Sequence, residues 1–174
     1  GIIRREVYGD TVLQQMLNDG RLASEVVTPE TLRALLAAGR IGALLSASDV
    51  AFLKKFGILR AGVALEGREL VLDGERCSCD LTDAAQFERL CATMLGARLV
   101  GGIYMTGGSF LGPNDFYERL RTMPPQELAK IDMTRIDFIN QLYGQGDLKR
   151  AQRRKARFIN TTMVATLLGA VEIG

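Results

Sequence analysis

The sequence predicts an α/β fold: a parallel-sheet domain preceded by a small insertion of helices and a β meander. Three observations carry this prediction. The first sixty residues hold three short stretches that open at a capping residue and stop at a glycine. Residues 63–79 alternate apolar and polar side chains around an Asp-Gly turn. From residue 98 onward, apolar runs and helix-like runs take turns, the order expected of a parallel sheet with crossover helices.

The helices come first. Asp10 is placed to cap Thr11–Asn18, with Gly20 beyond its end. Thr28 followed by Pro29 and Glu30 opens a second helix closed by Gly39, and Ser46 or Ser48 caps a third over Asp49–Phe56 that stops at Gly57. Val63–Glu66, Glu69–Leu72 and Glu75–Cys79 then read as three strands, turning at Gly67 and at Asp73-Gly74. Thr82 opens a helix through Phe87, Leu90 and Met94 that ends at Gly96. These elements form an insertion or subdomain over residues 1–95.

Residues 96–174 read as part of an α/β domain. Arg98–Thr106 is the first expected strand, its apolar run suited to cover on both faces. A glycine-rich loop over Gly107–Gly112 follows, with Pro113 as first helical residue of Asn114–Met123. Gln126–Ile131 is a shorter helix, Arg135–Asn140 a second strand, Asp147–Ala156 a helix and Arg157–Thr161 a third strand, before the apolar segment Met163–Ile173. Gly1 runs straight into Ile2-Ile3, so the chain is expected to be an internal piece of a longer one.

The chain has 174 residues, of which 47% are hydrophobic and 24% charged, enough for one globular domain with a small appended subdomain. No apolar run reaches the roughly 20 residues that span a bilayer, and Arg4-Arg5-Glu6 does not open a signal peptide, so a cytoplasmic location without a membrane partner is the default expectation. A net charge of +2 is too small to imply a polyanionic partner for the whole chain. Cys77, Cys79 and Cys91 lack metal-ligand spacing and read as reduced thiols, with no metal expected. There is no histidine, so Ser-His-Asp, Cys-His and His-metal chemistry within the chain is excluded.

Two stretches are candidates for binding. Gly107, Gly108, Ser109 and Gly112 belong to a strand-to-helix loop, where free N–H groups and the helix dipole favour an anion. The loop lacks the dinucleotide, P-loop and nucleophile-elbow spacings, and a plain tight turn explains it as well. Residues Lys149–Arg157 hold six basic side chains in nine, with 149, 153 and 157 on one side of a helix. Such a stripe suits nucleic-acid or nucleotide phosphates, or a solvated face, or pairing with carboxylates elsewhere; no aromatic residue is interleaved to stack bases. Asn140, Tyr143 and Asn160 fall near expected strand ends, where open α/β sheets place ligands.

A set of short segments stands out by its order and spacing. They are Phe110-Leu111-Gly112-Pro113 with Phe116-Tyr117 and Leu120-Arg121, then Ile131-Asp132-Met133-Thr134, then Phe138 through Gly144. Leu148 through Arg154, Ala156 through Met163 and Thr166-Leu167-Leu168-Gly169 follow; in order and spacing the set resembles the acetyl-CoA hydrolase/transferase family, and Gly1 through Tyr8 resembles its longer, bacterial branch. The resemblance implies a CoA-transferase-like fold and acyl transfer from coenzyme A to a small carboxylate or to water. A glutamate attacks the thioester, giving an acyl-glutamyl anhydride; the CoA thiolate returns to make a glutamyl-CoA thioester, or water intercepts the intermediate. Backbone N–H groups stabilise the oxyanion, and neither histidine nor metal is required. On this resemblance the glutamate is expected shortly before the residue matching Gly1 and a Gly-Gly-Gln loop shortly after Gly174. Gly107, Gly108, Ser109, Gly112, Asn140 and Asn160 are then the candidate contacts to CoA, a substrate rather than a resident cofactor. The residues from Ala170 to Gly174 depart from the family's Ser-Asp-Gly continuation. Leu167, Leu168, Val171 and Ile173 are expected to pack on another copy, giving a homo-oligomer. A non-enzymatic nucleic-acid or anion-binding module built on the basic stripe is the alternative.

Overall fold

The computed structural model describes residues 7–22, 25–108, 112–141, 143–154, 157, 162–169 and 171–173. The chain opens with α1 (Thr11–Asn18), α2 (Pro29–Ala37) and α3 (Ala47–Lys55). Asp10 caps α1 by accepting from the Leu13 N–H at 3.0 Å and also pairs with Arg40 at 2.9 Å. The Arg40 guanidinium lies 3.6 Å over the Phe52 ring, so one carboxylate ties the start of α1 to α3. Ser46 and Asp49 cap α3 reciprocally, each side chain accepting the other's N–H.

The meander follows as β1 (Ala64–Glu66), β2 (Glu69–Leu72) and β3 (Glu75–Ser78), antiparallel in the order β1-β2-β3. Asp73 and Gly74 both take positive φ, 51° and 88°, as the Asp-Gly signal requires. The inward pair Leu70 and Cys77 is buried while Val71 and Arg76 face outward. Next comes α4 (Ala84–Thr93), capped by Asp83 rather than opened by Thr82. Thr82 is already committed to Asp80, donating from both its hydroxyl (2.7 Å) and its N–H (2.9 Å). Three helices, the meander and α4 share one core in which Leu13, Leu32, Leu53, Ile58, Leu70 and Leu90 are fully buried. Each such side chain contributes about 1.5–3 kcal/mol relative to exposure.

Residues 97–103 are stitched to this core, and the long strand expected over 98–106 shrinks to β4 (Met105–Gly107). The reason lies in the backbone partners. The Leu99 N–H bonds to Glu25, that of Val100 to Phe56, and Ile103 exchanges bonds with Val7, so three separate segments claim what one ladder would need. Gly101, at φ 77°, turns the chain between them. Gly96 crosses Gly57 so closely that a Cβ there would sit 1.9 Å from the Gly57 carbonyl oxygen.

Beyond β4 lie α5 (Asn114–Arg121), α6 (Pro125–Leu128), β5 (Ile131–Met133), α7 (Ile136–Asn140), α8 (Gly146–Gln152), β6 (Thr162–Ala165) and β7 (Val171–Ile173). β4 and β5 pair in parallel, Met105 opposite Ile131 and Gly107 opposite Met133, so the crossover unit is present. Pro113 caps α5 instead of starting it, and the second short helix gives way to β5 at Ile131. The segment expected as a strand over Arg135–Asn140 is helical: the Gln141 N–H bonds back to the Asp137 carbonyl at 2.8 Å. A short apolar run has too few residues for its period to separate strand from helix. The basic helix stops at Gln152, short of Ala156. The strand expected at 157–161 falls almost wholly outside the described residues, and β6 pairs antiparallel with β7. The fold is thus a mixture of helices with a small parallel pair and antiparallel sheets.

Cys77 and Cys79 are buried and Cys91 half-buried, all free thiols. Desolvation raises the Cys91 thiol pKa above its ordinary value. Among the described residues no helix is long and apolar enough to cross a membrane.

Candidate functional site

A cleft of about 440 Å³ opens where β4, β5, α7 and α8 meet the segment just before α1. That volume is in the range of small-molecule sites, roughly 300–1,000 Å³. Ile103, Phe138, Ile139 and Leu148 supply apolar walls, while Thr106, Asp132, Lys149 and Arg153 supply the polar groups.

The wall made by α8 owes its position to α1. Gln14, buried to 2% exposure inside α1, accepts the Tyr8 N–H at 2.8 Å and donates to Asn18 at 3.1 Å. Asn18 donates in turn to the Ala151 carbonyl at 2.7 Å, and Gln152 returns a bond to the Tyr8 carbonyl at 3.0 Å. Arg154 adds bonds to the Asn18 carbonyl and to Asp19. The four amide bonds form a clasp joining residues far apart in sequence, and Ala151 is buried beneath it. A polar residue between Leu13 and Met16 on an otherwise apolar helix face was the sequence signal for Gln14; nothing in the sequence named its partner.

Lys149 locks the other side. Its ammonium donates to the Phe138 carbonyl at 2.9 Å and the Gln141 carbonyl at 2.7 Å, and sits 4.8 Å from the Phe138 ring centroid. These bonds satisfy carbonyls at the end of α7, which has no further turn to do so. Arg150 pairs with Asp147 one turn back. Arg153 is exposed, and no described residue pairs with its guanidinium. The basic run is therefore no single stripe: the helix ends before 153, and Lys149, Arg150 and Arg154 are engaged within the fold. Asp132 is the one carboxylate among the described lining residues, and the Thr106 hydroxyl reaches it at 3.5 Å, the outer limit of a hydrogen bond.

Gly107, Gly108 and Gly112, the described residues of the glycine loop, are not among the described residues that line this cleft. Gly107 ends β4 and its carbonyl accepts the Thr134 N–H at 2.9 Å; Gly108 lies against Ile136. The Gly112 N–H donates to the Tyr117 hydroxyl at 3.2 Å, so one of the expected anion donors is already used. Asn140 is the last residue of α7, a helix end and not a strand end. Tyr143 is largely exposed. Ser109 and Asn160 lie outside the described residues. A second cleft of about 500 Å³, sharing Tyr104 and Met105 with the first, sits between Arg119, Met123 and Glu127.

Chemically, the described residues of the first cleft offer an apolar body, two cations and one acid. Among the described residues no group of three or more Cys, Asp and Glu converges as metal ligands would. The chain matches no protein-family model, no curated protein and no solved structure at a significant level.

Proposed function

We propose that this chain is part of an acyl-CoA hydrolase or CoA-transferase whose glutamate nucleophile lies outside these 174 residues. In this reading the enzyme has the CoA-transferase-like fold, of which β4–α5–α6–β5 is one parallel crossover unit. It moves an acyl group from coenzyme A to water or to a small carboxylate. One observation carries the reading. Segments that separately resemble the family, and that are scattered along the sequence, line the same cleft: Val7 from the first, Phe138 and Ile139 from a second, Leu148, Lys149, Gln152 and Arg153 from a third.

The chemistry follows from what a carboxylate nucleophile needs. Attack on the thioester carbonyl breaks the C–S bond, releases the CoA thiolate and leaves an anhydride. The thiolate must stay in reach to attack the glutamyl carbonyl and release the acyl carboxylate. An enzyme of this kind therefore grips CoA throughout, and this chain contributes to that grip. Gly107, Gly108, Ser109 and Gly112, with Asn140 and Asn160, are the further proposed contacts to CoA. The nucleic-acid alternative rests on one continuous basic helix face, and α8 ends at Gln152, before Arg153 and Arg154.

The test is direct. Incubated with acetyl-CoA and a thiol reagent, the chain should bind CoA in calorimetry yet release no free thiol. Release at enzyme-like rates would place the nucleophile within the chain, and absence of CoA binding would overturn the family reading.

A further inference from the structure

Next to the cleft is a smaller recess of about 360 Å³, lined by Gly146, Lys149, Arg150 and Arg153. Lys149 and Arg153 line both spaces, so the two adjoin across those side chains. We propose that cleft and recess are one two-part site for a nucleoside phosphomonoester, its uncharged body in the cleft and its phosphoryl group in the recess.

The recess has the charge a phosphoryl group requires. Three cations line it, and Asp147 offsets Arg150, leaving a net charge of about two positives against a phosphomonoester of roughly −1.5 to −2 at neutral pH. Arg153 has no described partner, so its planar fork of donors is free for two phosphate oxygens. The Lys149 ammonium spends two of its three donors on carbonyls, which fixes the head while one N–H is left for a ligand. Gly146 contributes no side chain, and a Cβ there would meet the Arg150 guanidinium at ordinary contact distance, 3.5 Å. The cleft has the complementary character: the Phe138 ring and the Ile103 and Leu148 side chains suit a flat heterocycle, and Asp132 accepts from an exocyclic amine.

This deepens the acyl-CoA reading by naming the part of CoA that the site would hold, its phosphorylated adenosine. It does not depend on that reading for its test. The chain is titrated calorimetrically with adenosine 3′,5′-bisphosphate, adenosine, CoA and a short single-stranded RNA, using wild type and Arg153→Ala. Arg153 is exposed, so thermal unfolding should be unchanged in the variant and binding differences are not folding differences. The expected result is that the bisphosphate binds at least about tenfold more tightly than adenosine, and that Arg153→Ala removes about tenfold or more, the size of a charge-assisted pair. Bisphosphate binding that Arg153→Ala leaves intact overturns the proposal, as does no bisphosphate binding at all. RNA bound more tightly than the mononucleotide, with the same Arg153 dependence, overturns it in favour of a polynucleotide. Arg153-dependent binding of the bisphosphate without binding of CoA supports the site and removes the acyl-CoA reading.

Discussion

The two halves of the molecule are built on different terms. Among the described residues every buried hydrophobic side chain lies between Tyr8 and Leu99, Ala151 alone excepted. From Tyr104 on, large apolar side chains stand at the surface: Phe116, Met133, Ile136, Phe138, Leu167 and Leu168 are all exposed. The first half closes its own core. The second is held by hydrogen bonds to the first, through Ile103 on Val7 and through the α1–α8 clasp. Burial stabilises a fold without direction, whereas hydrogen bonds fix geometry, and the half that is hydrogen-bonded in place is the one with the cleft.

That contrast breaks most visibly in the core. Leu53→Ala should destabilise the chain by roughly 2–5 kcal/mol in urea melts, whereas Phe116→Ala, at 36% exposure, should cost under about 1 kcal/mol. Equal losses would show the second half to have a core of its own. Gln14→Leu leaves the buried Tyr8 N–H without its acceptor, an expected cost of about 1–3 kcal/mol. Hydrogen exchange should then quicken in α8 while the meander keeps its protection, and uniform acceleration would mean the clasp has no separate identity.

Self-association sharpens the comparison from the other side. Leu167 and Leu168 are fully exposed in the turn between β6 and β7, and pairs of this kind are normally covered. Light scattering at tens of micromolar should show a species heavier than 19.0 kDa, reduced to the monomer by Leu167→Ser with Leu168→Ser. A wild-type monomer at that concentration removes this expectation.

The smallest effect is acid-linked and belongs to the first half. Burial pushes the Asp49 pKa up, but hydrogen bonds from the Ser46 N–H and hydroxyl and from the Gly42 backbone outweigh it and hold it below its ordinary 3.8. A carboxylate depressed in the folded state stabilises above its unfolded pKa, and that stability fades as pH falls through the folded one. Asp49→Asn should therefore lose a little stability at neutral pH and show a flatter decline below about pH 4 in thermal melts. An unchanged acid limb would mean that Asp49 is not titrating with the fold.

What the sequence made legible follows the same division. The extent of α1, the span of β2 and the Asp73-Gly74 turn were readable because each is decided by residues within a few positions. Residues 98–106 were not, since the partners of Leu99, Val100 and Ile103 come from three places that no local pattern reveals. α7 was misread because five residues are too few to show a period. The loop of Gly107 and Gly108 was visible as glycine, yet the cleft beside it was not: it joins Val7, Ile103, Asp132 and Arg153, which only the fold brings together.

The clasp also sets an order in time. Asn18 meets the Ala151 carbonyl across 133 residues, and Gln152 meets that of Tyr8 across 144. Contacts of such separation form late, because the chain between them must first be shortened by structure of its own. On the ribosome, α1 and its neighbours emerge and pack well before α8 exists to dock on them. The cleft is thus completed only once α8 docks, and a ligand that filled it would act as a bolt on that step, slowing the release of α8 more than the unravelling of anything beneath it.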